Sequence, residues 1–187
     1  MVRVSEIHYY ERPGYRNTED VMACVAKRAR ELGIRQVVVA TSHGRSALLA
    51  RQLCDPGVRV LAVTHSASYH REGWTPTPEE RQRMLDAGLE VVTTTHALAN
   101  DVSEAMGGGF LAPNRIACDM LCCFSQGMKV AVEVSVMAAD SGRLDMSSDA
   151  ISIGGTGAGA DTAIVVRPTF ARDFARLKIR EVIAMPR

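Results

Sequence analysis

Two runs of β-branched and small apolar residues, Gln36–Ala40 and Val58–Val63, flank a single helical segment, and this arrangement constrains the fold more than any other feature of the chain. A short continuous apolar run of this type marks a strand buried on both faces. Between the two runs, Ser46–Cys54 has helical spacing through Leu49 and Leu53 until Pro56-Gly57 breaks it. Strand, helix, strand is a βαβ unit, the crossover that parallel strands require.

The same alternation extends in both directions. Upstream, Val4–Tyr10 alternates polar and apolar residues and predicts a strand ended by Pro13-Gly14. Thr18 is the expected N-cap of a helix with Val21, Val25 and Ala29 on one face, closed by Gly33. Downstream, a helix over Glu79–Ala87 stops at Gly88 and a strand follows over Leu89–Thr93. A short helix over Asn100–Met106, a flexible joint at Gly107-Gly108-Gly109 and a helix over Pro113–Phe124 are expected next. Met128–Ala139 is ambiguous, because Val130, Val132, Val134 and Val136 alternate as in a strand. A helix is predicted there, since a parallel crossover must precede the next strand. Strands are then expected at Ile151–Ile153, Ala163–Arg167 and Glu181–Ala184, with Phe170–Leu177 a loop or short helix. Thr64–Pro78 is too long for an ordinary connection and reads as a functional or lid-like loop. No repeat or linker intervenes, so residues 1–187 are expected to form one domain of α/β class, a three-layer α/β/α sandwich around a mostly parallel sheet.

Composition narrows the partners. At 187 residues and 47% apolar content the chain can fill one core without disulfide or metal staples. Lys plus Arg less Asp plus Glu gives 22 − 21 = +1, which argues against duplex nucleic acid and anionic membrane as partners. Met1–Tyr10 has no apolar signal core, and no 18 apolar residues run together, so a cytoplasmic location is expected. The five cysteines form no C-x-x-C pair and are expected to be reduced and mostly packed in the core, Cys118 and Cys122 included.

In open α/β sheets ligands bind outside the carboxyl ends of the strands. Four polar segments are expected there. The first is Thr41, Ser42, His43, Gly44, Arg45 and Ser46, a turn opening a helix, where hydroxyls, free amides and the helix dipole favour a phosphate. The competing reading is that Thr41 and Ser42 only cap the helix. The second and third are Thr64-His65 and Thr95-His96, whose imidazoles are candidate acid/base groups. The fourth is the glycine loop Gly154–Thr162, in which Gly155, Thr156 and Gly157 can bring amides to a ligand while Asp161 and Thr162 bond it; the alternative is a tight turn between neighbouring strands. Tyr69, His70, Arg71 and Trp74 are placed to cover a flat ligand, and Trp74 is equally suited to a subunit contact, which leaves a homo-oligomer open. Glu133 and Asp140 are expected on one helix face, one of them buried and paired. Walker A, dinucleotide and nucleophile-elbow patterns are absent, and no ligand spacing suggests a metal.

Val37–Thr64, with Thr-Ser-His-Gly-Arg-Ser-Ala at its centre, resembles the C-terminal α/β domain of pyruvate kinases, in which such a turn holds a sugar-phosphate effector. The chain is similar over nearly its whole length to stand-alone pyruvate kinase α/β domain-like proteins. That similarity is carried by Arg12-Pro13-Gly14 with Asn17-Thr18-Glu19, Thr95-His96-Ala97-Leu98, and Gly127-Met128-Lys129-Val130 with Glu133. It continues through Met137–Gly142, Gly154-Gly155-Thr156 with Gly159–Ala163, and Met185-Pro186-Arg187. The resemblance implies flavin mononucleotide (FMN) as cofactor, its phosphate on Thr41–Ser46. The chain departs from that family at His43, where serine or tyrosine is common. It is too short to hold the catalytic (β/α)₈ barrel of pyruvate kinase. A phospholigand-binding role is therefore expected, with flavin-dependent oxidoreduction through His65 or His96 as the alternative.

Overall fold

The computed structural model describes residues 2–99, 102–106 and 112–187. They form a seven-stranded sheet in the order β1-β7-β6-β5-β2-β3-β4. The strands are β1 (His8–Tyr10), β2 (Gln36–Ala40), β3 (Arg59–Thr64), β4 (Glu90–Thr93), β5 (Ala150–Gly154), β6 (Thr162–Arg167) and β7 (Lys178–Pro186). All neighbours pair in parallel except β5–β6 and β6–β7, so among the described strands β6 alone runs against the rest.

Helices cover both faces because successive side chains of the buried strands point to opposite sides. Val37 and Val39 of β2 and Val60 and Ala62 of β3 meet α1 (Thr18–Leu32), α2 (Arg45–Leu53) and Met84 of α3 (Pro78–Asp86). Val38, Leu61 and Val63 face α6 (Gln126–Asp140) on the other side. The short α4 (Val102–Met106) and α5 (Pro113–Cys122) precede α6. The three-layer, mostly parallel sandwich is as expected, and Met128–Ala139 is helix. The expected joint at Gly107–Gly109 lies outside the described residues, as do Asn100 and Asp101 of the short helix.

Local rules explain most boundaries. Gly33 takes φ 67° and its N–H donates to the Ala29 and Arg30 carbonyls, closing α1 as its position predicts. Thr77 and Glu80 form a reciprocal capping box ahead of Pro78, which starts α3 one residue before the expected Glu79. Three expectations are corrected. The strand over Val4–Tyr10 shortens to His8–Tyr10, since Val4 is 89% exposed and its alternation meets no second surface. Thr18 is not the N-cap: Asn17 stands there, and the Thr18 hydroxyl accepts from Ala160 N–H and donates to the Tyr15 carbonyl. At the other end, β7 runs over nine residues, longer than Glu181–Ala184, because Lys178–Ala184 pairs with β6 and its last three residues pair with β1.

The start of α6 presses directly on the β5–β6 connection. A Cβ at Gly127 would overlap the Thr162 hydroxyl and the Asp161 carboxylate, and one at Gly154 would overlap the α6 backbone. Gly127→Ala gains about 1 kcal/mol of helix propensity but must displace buried polar atoms, a cost of about 1–3 kcal/mol or more. A lowered urea midpoint is expected for Gly127→Ala, whereas Gly57→Ala, which meets open space, should stay within about 0.5 kcal/mol of the parent.

Candidate functional site

The four expected segments do lie along one edge of the sheet. They follow the carboxyl ends of β5, β2, β3 and β4, which are consecutive neighbours and parallel. From β2 the chain winds outward through β3 to β4 by way of α2 and α3; from β5 it winds the other way through β6 to β7. The order therefore reverses between β2 and β5, and that switch point is where such sheets open a crevice.

The turn after β2 supplies one wall. Thr41 Oγ1 accepts from Gly44 N–H at 3.0 Å, so this hydroxyl closes the turn rather than capping the helix. Gly44 adopts φ 90° at the N-cap with no side-chain capping bond, and a Cβ there would crowd Met84. A helix begun this way presents its first amides and the positive end of its dipole outward. Arg45 is exposed beside it, Ser42 is half-buried and Ser46 is buried. His43 turns away: its Nδ1 contacts Glu80 Oε2 at 2.9 Å, which ties the turn to the α3 capping box. The Thr77 amide, followed by His43, holds the Glu80 carboxyl below its ordinary range.

The second wall is aromatic. His65, just past β3, packs its ring 5.4 Å from Tyr69, 5.5 Å from Trp74 and 5.3 Å from His96, which follows β4. Tyr69 stacks between Trp74 (5.3 Å, 10°) and His96 (5.4 Å, 17°). The long loop after β3 thus folds its aromatic residues back over the strand ends. Ser66 N–H donates to His96 Nε2, while His65 Nδ1 is buried with no hydrogen-bond partner among the described residues. Burial pushes both imidazoles below the ordinary range; His96 pushes His65 down further, and Glu133 partly offsets the shift of His96. Glu133 is 4% exposed, accepts from the Leu98 and Ala99 amides at 3.0 Å each and pairs with Lys129 at 3.1 Å. It is buried and paired as expected, and it fixes the segment that carries His96. Asp140 is exposed and accepts from Ala171 N–H.

The glycine loop has a different character from the one expected. Residues 155–161 join the antiparallel strands β5 and β6, the tight turn between neighbouring strands that was the alternative reading. Gly155 packs on Gly159, and Gly159 on Tyr15 and Thr18, so these glycines admit the protein's own backbone; Gly157, at φ 70°, is open. Asp161 is fully buried. Its Oδ2 accepts from Gly14 N–H at 2.9 Å and Thr156 N–H at 3.0 Å, and its Oδ1 from the Thr162 hydroxyl at 2.8 Å. Thr162 also contacts Ser125, and Thr64 is locked against Thr93 at 2.7 Å. Asp161, Thr162 and Thr64 therefore build the edge from inside, whereas Thr95 and Gly157 reach its surface; Thr156 is half-buried, its hydroxyl buried with no partner among the described residues. A cleft between Arg81 and Arg143 runs along the open side of β4, from Val91 to Thr93 at its carboxyl end.

Tyr69 and Trp74, two of the residues singled out in the long loop, are the ones that stack with the histidines. One feature escaped the spacing rules. His8, Asp20 and Cys24 converge from β1 and α1, although spacing gave no reason to expect a metal-ligand set.

The fold is an open, three-layer α/β sandwich whose switch point lies at the start of α2, with an aromatic cluster after the next two strands. Residues 19–166 match the family model described as pyruvate kinase, alpha/beta domain, and the chain belongs to that family. Similar solved structures include a pyruvate kinase from Cryptosporidium parvum (14% identity, TM-score 0.40, covering 79% of this chain and 22% of that one). Another is Cryptosporidium parvum pyruvate kinase in complex with ADP (16% identity, TM-score 0.41, 81% and 24%). The chain spans less than a quarter of the length of those kinases.

Neutral imidazoles are favoured at His65 and His96, so the folded state takes up protons there less readily than the unfolded chain. Their contribution is complete above the unfolded value of about 6.5 and is lost as pH falls below it. The melting temperature should therefore drop between pH 7.5 and 5.5, and a His65→Asn, His96→Asn double variant should show a flatter profile in thermal melts.

Proposed function

We propose that the protein binds a phosphorylated aromatic ligand, FMN, across the β5–β2–β3–β4 edge, as a carrier or sensor module without turnover. The observation that carries this reading is the side-chain-uncapped start of α2 at Gly44, one strand away from the His65–Tyr69–Trp74–His96 wall. Adjacent strands are about 4.8 Å apart, so one mononucleotide spans an amide-lined anion seat and a stacking surface. In this reading the phosphate rests on the Arg45–Ala47 amides with Arg45 as counter-charge, and Ser42 and Thr156 border it. The flat ring lies on the aromatic wall, where the unpartnered His65 Nδ1 offers a bond to a ring N–H or carbonyl. Half-exposed Trp74 leaves room for such a ring without unfolding the loop.

A second reading is favoured by one observation, the lowered proton affinity of His65 and His96. A bound flavin supplies redox chemistry, and a neutral imidazole beside it accepts or returns a proton. Flavin reduction by nicotinamide cofactors with many turnovers would establish the enzyme; a single stoichiometric reduction, or none, keeps the binding role.

Titration with FMN and with riboflavin, read by quenching of flavin fluorescence, separates the two halves of the site. Arg45→Ala is expected to weaken FMN about tenfold, the equivalent of one charge-assisted bond, and to leave riboflavin unchanged. Tyr69→Leu with Trp74→Leu should weaken both by about tenfold or more. Equal affinity of the parent protein for FMN and riboflavin would remove the α2 seat from the site.

A further inference from the structure

On the far side of the sheet from β4, strand β1 and helix α1 bring together donor atoms that the ligand edge does not use. His8 and Tyr10 lie two apart on β1 and share a strand face; Asp20 and Cys24 lie four apart on α1 and share a helix face. His8 Nδ1 is 3.0 Å from Asp20 Oδ2 and 3.2 Å from Cys24 Sγ, and Cys24 Sγ is 3.8 Å from Asp20 Oδ2. We propose that His8, Asp20 and Cys24 are three ligands of a tetrahedral transition-metal site, of the zinc-ion class, with the fourth position open.

Protons satisfy this cluster only through a long thiol contact. If Nδ1 donates to Asp20, the thiol donates to the same Oδ2 at 3.8 Å and its sulfur is left 3.2 Å from Nδ1 with no hydrogen between them. If the thiol donates to Nδ1, the imidazole and carboxylate lone pairs confront each other at 3.0 Å. A protonated imidazole covers only one of these contacts, because both fall on the same nitrogen. That shared nitrogen also excludes a thiol–imidazole–carboxylate relay, in which sulfur and carboxylate occupy opposite ring nitrogens. A cation between the three atoms satisfies all of them at once.

The separations fit zinc. Metal–donor distances of about 2.0–2.1 Å to nitrogen, 2.0–2.2 Å to oxygen and 2.3 Å to sulfur at tetrahedral angles put the donors about 3.3–3.6 Å apart. The observed 3.0, 3.2 and 3.8 Å lie within about 0.4 Å of that without moving the backbone. One thiolate, one imidazole and one carboxylate favour zinc over magnesium or calcium, which prefer oxygen alone. Tyr10 donates to Asp20 Oδ2 at 2.8 Å and holds the carboxylate from behind, as outer partners of metal ligands do. His8 and Cys24 also line a concavity of about 270 Å³, which leaves space for water as the fourth ligand. The cations bordering it are themselves paired, Lys27 with Glu6 and Glu31 and Arg28 with Glu31 and Glu181. A surface His–Asp ion pair would need neither the thiol nor the tyrosine.

Co²⁺ is the probe, because a thiolate ligand gives it a near-ultraviolet charge-transfer band. Chelator-treated protein is expected to bind one Co²⁺ with that band and with the strong visible absorption of tetrahedral cobalt, both displaced by Zn²⁺. Cys24→Ser should abolish the charge-transfer band, and His8→Ala and Asp20→Asn should each weaken Co²⁺ at least tenfold. A Cys122→Ser, Cys123→Ser double variant, which removes the exposed thiols, should keep the band. Zn²⁺ should raise the melting temperature of the parent but not of Asp20→Asn, a substitution at a half-exposed position that tests the site even if Cys24→Ser folds poorly. Absence of the band, its survival in Cys24→Ser, or His8→Ala affinity within twofold of the parent would overturn the proposal.

Discussion

The carboxylate of Asp161 is the interaction on which the strand-end architecture rests. A fully buried charge is costly unless it is saturated with hydrogen bonds, and this one takes the Gly14 and Thr156 amides and the Thr162 hydroxyl. Each partner comes from a different piece of chain: the connection leaving β1, the loop leaving β5, and the first residue of β6. Breaking any one of them exposes the others to an unsatisfied charge, so the three pieces hold together as one unit. Gly127 lets α6 start against this same carboxylate.

Glu133, further along α6, has the corresponding role at the other end of the edge. It takes the Leu98 and Ala99 amides, with Lys129 balancing its charge, and so positions the segment after β4 that carries His96. One helix, packed between the sheet and α5, therefore controls both ends of the edge through two buried carboxylates, one approached by its glycine and one carried on its own face. Several of the motif residues that mark the family resemblance belong to these two networks or pack against them: Gly14, Thr18, Leu98, Gly127, Lys129, Glu133 and Asp161.

How much of this was legible follows from what each signal depends on. The β-branched runs at Gln36–Ala40 and Val58–Val63 predicted β2 and β3 within a residue, because burial on both faces leaves a composition that needs no partner to be recognised. For α6 the usual amphipathic contrast fails: eleven of its fifteen residues are buried, so the valines at every second position carried no helical period. The crossover requirement, a property of topology rather than of the segment, decided it correctly. The helix start after Thr41–Gly44 was visible because helix starts are local. Asp161 was visible as a polar residue in a glycine loop, but its direction was not, since nothing local distinguishes an acceptor aimed at a ligand from one aimed at Gly14, 147 residues away. The glycines misled for the same reason: close approach of a ligand and close approach of Tyr15 demand the same missing Cβ.

A helix start without a side-chain cap is not in itself distinctive, for α1 and α5 also lack one. What separates α2 is where its amides lie. Those of α1 begin beside the Asp161 unit, with Thr18 already engaged by Ala160, and those of α5 begin at Pro113, which has no amide proton to offer. The start of α2 instead follows a buried central strand directly, at the point where the order of the sheet reverses, with an exposed guanidinium at its first residue. His43 strengthens the arrangement by turning outward to Glu80, so the turn is braced by α3 without that acidic group entering the seat. An anion at this position meets dipole, amides and Arg45, while the nearby Glu80 carboxylate is already engaged by the capping box and His43. The aromatic wall one strand further on lies beside this helix start, which is the juxtaposition the proposed FMN site rests on.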